Sequence, residues 1–267
     1  MTGYIHLDGA AAVVTGAGSG IGRASARSFA ARGARVVVSD LNAERVEAVA
    51  AEIVASGGEA VGLRGDVTRH TDVEALRDTC LDRFGRVDLV MNNVGVLAMG
   101  PPESLPIEEW KRIIDVNLLS MVRSNLVFLP LLIAQGRGHV VNTASMSGLL
   151  AHGYDRLPYV TTKHAVVGMS ESLALYLRPQ GIGVTCLCPS GVKTNIAEQI
   201  TFFGAPSTPR SPDYPVVEAD IVGELVADAV TEGRFLVLTV PEVHDEIVER
   251  AADLDAYIAK LTQEDHR

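Results

Sequence analysis

Ala11-Ala-Val-Val-Thr15 is a short apolar run, and glycines follow it at once in Gly16-Ala-Gly-Ser-Gly-Ile-Gly22. An Ala-rich stretch of helical composition, residues 23–31, comes next. A buried strand, a glycine turn and a helix start, in that order, make a cradle for a phosphate. The missing Cβ atoms let a diphosphate approach the backbone. The first helical turn adds unpaired N–H groups at the positive end of its dipole. Gly16, Gly20 and Gly22 stand where close approach matters, with Ser19 and Ile21 among them. A plain tight turn shares this composition, so the flanking strand and helix carry the reading.

The rest of the chain repeats the alternation. Arg35-Val-Val-Val-Ser39 is a second buried strand and Asp40 ends it, followed by Leu41. An acidic residue about 20 positions beyond the glycines holds a ribose hydroxyl in such units. The competing role for Asp40 is to cap the helix that starts near Ala43. Its charge repels a 2′-phosphate, no Arg occupies positions 38–42, and position 19 is Ser, which favours NAD over NADP.

A helix over residues 43–56 and a strand over 60–64 lead to Asp66 and Val67, a carboxylate placed to accept from an adenine amino group. A helix over 72–84 and a strand over 87–91 precede Asn92-Asn93-Val94-Gly95, at the strand end where ligands collect in open parallel sheets. Asn93 there can tie neighbouring strands together. Residues 107–134 read as a long helix interrupted near Pro130, with Asn117 inside it as a satisfied core amide or a water holder.

A strand over 139–143 ends just before Ser145. Val166, Met169, Leu173 and Leu177 keep helical spacing over 159–178, and a strand over 182–187 runs into Pro189-Ser-Gly191-Val192-Lys-Thr194. Four prolines between 202 and 215 break the regularity, so residues 195–218 read as a substrate lid. A helix over 219–231, a strand over 235–240 and a helix over 243–261 finish the chain. About seven strands alternate with helices. That predicts one α/β domain over residues 1–267, a doubly wound parallel sheet with helices on both faces.

Composition excludes some partners. The net charge is −10, which argues against nucleic acid, and no basic amphipathic run points to a membrane surface. The apolar stretch at 126–134 is too short to span a bilayer, and residues 1–8 lack a signal-peptide pattern. Cys80, Cys186 and Cys188 form neither a disulfide framework nor a metal spacing, so a reducing cytoplasm is the expected compartment.

Tyr159-Val-Thr-Thr-Lys163 carries the chemistry. On a helix its phenol and ammonium share one face, one turn apart. A nearby cation favours the phenolate and makes a Tyr a usable acid or base. Ser145 lies in Thr-Ala-Ser-Met-Ser, not in the Gly-x-Ser-x-Gly of a hydrolase nucleophile. His139, His152 and His164 lack metal-ligand spacing, and Tyr154 has Pro158, not Lys, four positions on. Residues 152–156 remain candidates for the rim of a substrate pocket.

Thr15 to Gly22, Asp66, Asn92 to Gly95, Asn117, Ser145, Tyr159-x-x-x-Lys163 and Pro189 to Thr194 fall in one order and spacing. Over residues 9–194 the chain resembles the classical short-chain dehydrogenases/reductases. The resemblance implies a Rossmann fold and an NAD-dependent oxidoreductase that interconverts a secondary alcohol and a carbonyl. Tyr159 is then the acid/base. Lys163 lowers its pKa and bonds the nicotinamide ribose. Ser145 orients the substrate oxygen, Asn117 holds a relay water, and Thr194 meets the carboxamide. The cofactor set is Gly16, Ser19, Gly20, Ile21, Gly22, Asp40, Leu41, Asp66, Val67, Asn93, Val94, Gly95, Tyr159, Lys163, Pro189, Gly191, Val192 and Thr194. A homo-oligomer, dimer or tetramer, is also implied.

Four departures stand out: Val94 for Ala, one extra residue between Ser145 and Tyr159, Ser190 and Gly191 after Pro189, and a charged C-terminal helix. Val96, Leu97, Leu149, Leu150, Ile196, Phe202 and Phe203 are either pocket lining for a bulky, hydrophobic small-molecule alcohol or ketone, or core. The alternatives are a non-catalytic dinucleotide-binding regulator and an NADP-preferring carbonyl reductase.

Overall fold

The first parallel pair sets the architecture. β1 (Ala11–Thr15) is hydrogen-bonded to β2 (Arg35–Asp40) on one side and β4 (Leu89–Asn92) on the other, so it is central and buried throughout. β3 (Glu59–Arg64), β5 (Gly138–Thr143), β6 (Ile182–Cys188) and β7 (Leu236–Leu238) complete a seven-stranded sheet. The order is β7-β6-β5-β4-β1-β2-β3 and every pairing is parallel. The computed structural model describes residues 5–204 and 213–264; residues 1–4 of the N-terminal stretch and 205–212 of the expected lid lie outside them.

Successive side chains of a strand face opposite ways. Ala12 and Val14 therefore enter one core with α1 (Gly20–Ala31), α2 (Ala43–Ala55) and α7 (Ala219–Glu232). Ala11 and Val13 enter another with α3 (His70–Phe84), α5 (Ser120–Gln135) and α6 (Leu157–Leu177). With both faces covered, the strands read as continuous apolar runs. The strand order reverses between β1 and β4, which opens a crevice at their carboxyl ends.

Two helices differ from the sequence expectation. α5 runs through Pro130 without stopping. Proline forfeits its bond to the carbonyl four residues back, but that carbonyl belongs to Leu126, a residue 66% exposed on the solvent side of the helix, where losing the bond costs least. The irregularity comes earlier, as a π turn at Asp115–Leu119 between α4 (Ile107–Ile114) and α5. Residues 107–135 are long and apolar enough to cross a membrane by length and composition, yet they pack here against α3 and α6.

The C-terminal helix is two helices, α8 (Glu242–Ala252) and α9 (Leu254–Glu264). Asp253 breaks them: its backbone is extended, and its carboxylate accepts from the Ala256 N–H at the new helix start. The described parts of the expected lid carry short pairings, Val192–Lys193 with Val217–Glu218 and Ala98–Met99 with Thr201–Phe202.

Candidate active site

The glycine turn and α1 meet the first requirement of the site. Gly16 and Gly20 have positive φ, and a Cβ on Gly22 would lie 2.2 Å from the Gly16 carbonyl oxygen, so only glycine closes this turn. Ser19 occupies the cap position of α1 without a side-chain cap bond, which leaves the helix start to backbone N–H groups. Ile21 packs against the core beneath, and the Thr194 methyl stands 2.9 Å from where a Gly20 Cβ would be. Such a turn fits a dinucleotide diphosphate.

Asp40 does not cap α2; Asn42 does, accepting from the Arg45 N–H. Asp40 instead accepts from the Gly18 N–H with one oxygen and the Asn42 N–H with the other, which ties the end of β2 to the glycine turn. The Arg45 stem packs against the same Gly18, a cation outside the 38–42 window of the sequence argument. Leu41 is exposed beside it. Asp66 is buried enough to be pushed up, but two Thr68 hydrogen bonds, both to its Oδ1, hold it below the usual carboxylate value.

Asn93 braces three strands. It donates to the Gly16 carbonyl, accepts from the Thr143 hydroxyl, and bonds Thr15 Oγ1 through its own N–H. The Val94 side chain lies against Gly16, and Val67, Asn93 and Val94 line one cavity with Thr15, Met121 and Phe128. Met146 donates its N–H to the Pro189 carbonyl. The residues inserted after Pro189 are anchored, since Ser190 bonds Thr239 through both its N–H and its hydroxyl. Gly191 accepts from the Val217 N–H, and Val192 pairs with Val217.

The residues expected to carry the chemistry come together where β5 ends and α6 begins. Pro158 starts α6 two residues earlier than the apolar pattern indicates and puts Tyr159 in its first turn. A buried chain of hydrogen bonds, Asn92 to Asn142 to Ser170, fixes α6 on the sheet. Lys163 is 2% exposed and donates to the Thr143 carbonyl at 2.8 Å. A Cβ on Gly95 would lie 3.3 Å from its Nζ, so Asn92 to Gly95 run beside the ammonium. Ser145 Oγ accepts from the Ser147 N–H, which leaves its hydroxyl proton to donate.

The electrostatics differ from the sequence expectation. Burial raises the Tyr159 phenol above 10; a hydrogen bond with Ser145 and the charge of Arg156 act against this. Lys163 is the cation the sequence offers for lowering the phenol. Its Nζ lies 5.5 Å from the Tyr159 ring centroid, and burial lowers its own pKa to about 8, against the Cys188 and Cys186 thiols. Sequence reasoning missed Arg156, whose only signal was its place three residues before Tyr159.

Asn117 sits in the π turn, fully buried. Its Oδ1 accepts from the Val96 N–H at 2.8 Å, and its Nδ2 donates to the Val96 carbonyl at 3.0 Å and to Thr162. The side-chain amide expected to hold a water is thus occupied by protein. The proposed pocket residues separate. Leu97 is buried, and Val96 and Phe203 pack with Ala98, Leu105 and Ile113. Leu150 is core with Val243 and Tyr257. Phe202 is 68% exposed, because consecutive residues of an extended segment point opposite ways.

A family model described as short chain dehydrogenase matches residues 10–202. The chain is a short-chain dehydrogenase. This dehydrogenase is 37% identical over 236 residues to 1-deoxy-11-beta-hydroxypentalenate dehydrogenase of Streptomyces exfoliatus, covering 86% of this chain and 83% of that one. It is 40% identical over 185 residues to cyclohexanol dehydrogenase of an Acinetobacter strain, covering 68% and 73%. A short-chain dehydrogenase/reductase from Burkholderia phymatum, crystallised with NAD, superposes with a TM-score of 0.85 at 32% identity, over 94% of this chain and 96% of that one. The family binds NAD or NADP, and this dehydrogenase is an oxidoreductase of alcohols and carbonyls.

Proposed function

We propose that this chain is an NAD-dependent dehydrogenase of secondary alcohols with an apolar frame, Tyr159 being its acid/base. The observation that carries the reading is the grouping where β5 ends: Ser145 just past the strand and close enough to act on the Tyr159 phenol in the first turn of α6, with Lys163 buried beside Gly95. Gly16, Gly20 and Gly22 would hold the diphosphate, Asp40 and Leu41 the adenosine ribose and its surroundings, and Asp66 and Val67 the adenine. Thr194 would stand at the other end of the crevice. A bound nicotinamide supplies the hydride acceptor.

The chain's own residues do the rest. Ser145 donates its hydroxyl proton to the substrate oxygen and fixes the carbinol carbon in place. Tyr159 as phenolate takes the hydroxyl proton while the hydride leaves with its electron pair. In the reverse direction the phenol returns that proton. The start of α6 and Arg156 favour the phenolate. Lys163 adds positive charge on the Gly95 side, and Asn117 holds Val96 and so the floor of the site.

Arg45 beside Gly18 is the one observation that favours the NADP reading. Nothing favours a regulator without turnover, since Ser145, Tyr159 and Lys163 are all in place. The reading includes self-association, supported by exposed Leu126 on α5 and Leu175 and Tyr176 on α6; light scattering measures the mass. The decisive test is NADH formation from NAD and a panel of secondary alcohols. Tyr159→Phe retains NAD binding and loses turnover by about a thousandfold. Full activity in that variant removes Tyr159 from its role.

A further inference from the structure

One side-chain cluster takes no part in the chemistry above. It is built around Glu246 on α8. That carboxylate accepts from Tyr257 on α9 at 2.6 Å, from Tyr214 in the segment leading to α7, and from His152 Nε2 at 2.7 Å. Burial works to raise the Glu246 carboxyl, and the bonds from Tyr214, Tyr257 and His152 outweigh it and leave it ionised. An ionised carboxylate has no proton to give, so Nε2 carries the hydrogen.

In a neutral imidazole the other nitrogen, Nδ1, then has a bare lone pair. His152 Nδ1 is closed to solvent and has no hydrogen-bond partner, so a ligand group reaches it only as the side chains around it part; the side chain as a whole is 9% exposed. The Tyr214 ring meets the imidazole edge-on at 6.3 Å and belongs to an apolar cluster with Met146, Leu150, Val243 and Tyr257. Nothing apolar satisfies a lone pair, and a buried polar atom left alone in a native fold calls for a partner from outside the chain.

His152 stands on the segment that links two side chains expected to hold the substrate oxygen. Residues 146–158 join Ser145 to Tyr159 and include the extra residue noted in the sequence. The segment bonds across to Gly100 through the Asp155 carbonyl, and its Arg156 is near enough to act on the Tyr159 phenol. The segment therefore borders both proposed catalytic side chains along the chain. Glu246, Tyr214 and Tyr257 hold His152 on that segment from three elements.

We propose that His152, held by Glu246, is a specificity-determining residue whose Nδ1 bonds a second hydroxyl on the substrate, remote from the one oxidised. The substrate class is then a diol or hydroxyketone on an apolar frame. A hydroxyl suits Nδ1 in either state, donating to the neutral ring or accepting from the protonated one. The inference rests on the alcohol dehydrogenase reading.

The test uses four probes that share one ring, cyclohexanol and the three positional isomers of cyclohexanediol, with NAD and the full chain. The wild type is expected to show kcat/KM for at least one diol about tenfold above that for cyclohexanol, expressed in KM. His152→Phe removes that ratio and leaves cyclohexanol turnover within about twofold. Glu246→Ala releases the ring and lowers the ratio as well. Glu246→Gln keeps an acceptor for Nε2 and preserves most of it. Should His152→Phe fail to fold, judged by melting and NAD binding, His152→Asn replaces it. Equal losses on all four probes would reduce His152 to loop support and overturn the proposal, as would a wild type without diol preference. A wild type that binds NAD but oxidises none of the four overturns the alcohol reading for this ring class, and the second-hydroxyl site with it.

Discussion

A lysine ammonium with 2% of its surface exposed, donating to the Thr143 carbonyl, is poorly compensated for lost water. Burial accordingly lowers Lys163 to about 8 from the 10.5 of a solvated lysine. Below pH 8 the group is protonated in both folded and unfolded chains. Between about 8 and 10.5 the folded protein has released the proton and the unfolded chain still binds it, so stability from this group rises with pH. Denaturant melts of wild type and Lys163→Met across this window isolate it. The wild type is expected to gain on the order of 3 kcal/mol relative to the variant by pH 10.5. A difference flat in pH would mean Lys163 is already neutral or fully compensated. Asp40 sets the second residue-scale expectation. Asp40→Ala removes the charge that repels a 2′-phosphate and also the acceptor for Gly18, so NAD binding weakens and the NAD-to-NADP affinity ratio falls by about tenfold. Asp40→Asn keeps an acceptor and separates the two effects.

At the scale of elements, the π turn explains how a helix reaches across to a loop. The extra residue per turn at Asp115–Leu119 accompanies an inward Asn117, whose amide closes both backbone groups of Val96. Asn117→Ala leaves the N–H and carbonyl of half-buried Val96 without their partner, at up to about 1–3 kcal/mol each. That is expected to lower Tm by roughly 5–15 °C at about 2–4 °C per kcal/mol and to cut turnover by loosening residues 95–97. Calorimetry with a parallel rate assay checks both; an unchanged Tm would show Val96 finding water instead. The sequence showed that Asn117 is a buried amide in a helix, but not the π turn, because a one-residue change of pitch leaves apolar spacing almost unaltered over five residues. Pro130 misled in the other direction: the cost of proline depends on whether the carbonyl four back faces solvent, and spacing does not report that. Tyr159 and Lys163 were legible because their relation is local to one turn of α6. The Arg156 contribution and the Glu246 contacts were not, since they depend on how a loop folds back and on elements far along the chain.

For the whole molecule, the alternation of apolar runs and helical periods was enough to give a parallel sheet covered on both faces, and the strand order adds a crevice between β1 and β4. The residues proposed for that crevice come from across the chain: Gly16 and Gly20 at the first turn, Asp40 at the end of β2, Asp66 after β3, Asn93 after β4 and Thr194 beyond β6. A dinucleotide spanning it therefore binds the assembled fold and not the unfolded chain. By linkage, NAD at about 100 times its Kd adds about 2.7 kcal/mol to unfolding. For a chain of this size that corresponds to a Tm rise of roughly 5–10 °C. Thermal melts with NAD, with NADP at the same concentration, and without either measure it. NAD is expected to raise Tm more than NADP does, and Asp40→Ala to bring the two rises together. If NADP stabilises the wild type as strongly as NAD, the Asp40 carboxylate is too fully engaged by the Gly18 and Asn42 N–H groups to repel a phosphate. Arg45, packed against the same glycine, then becomes the residue that decides the cofactor.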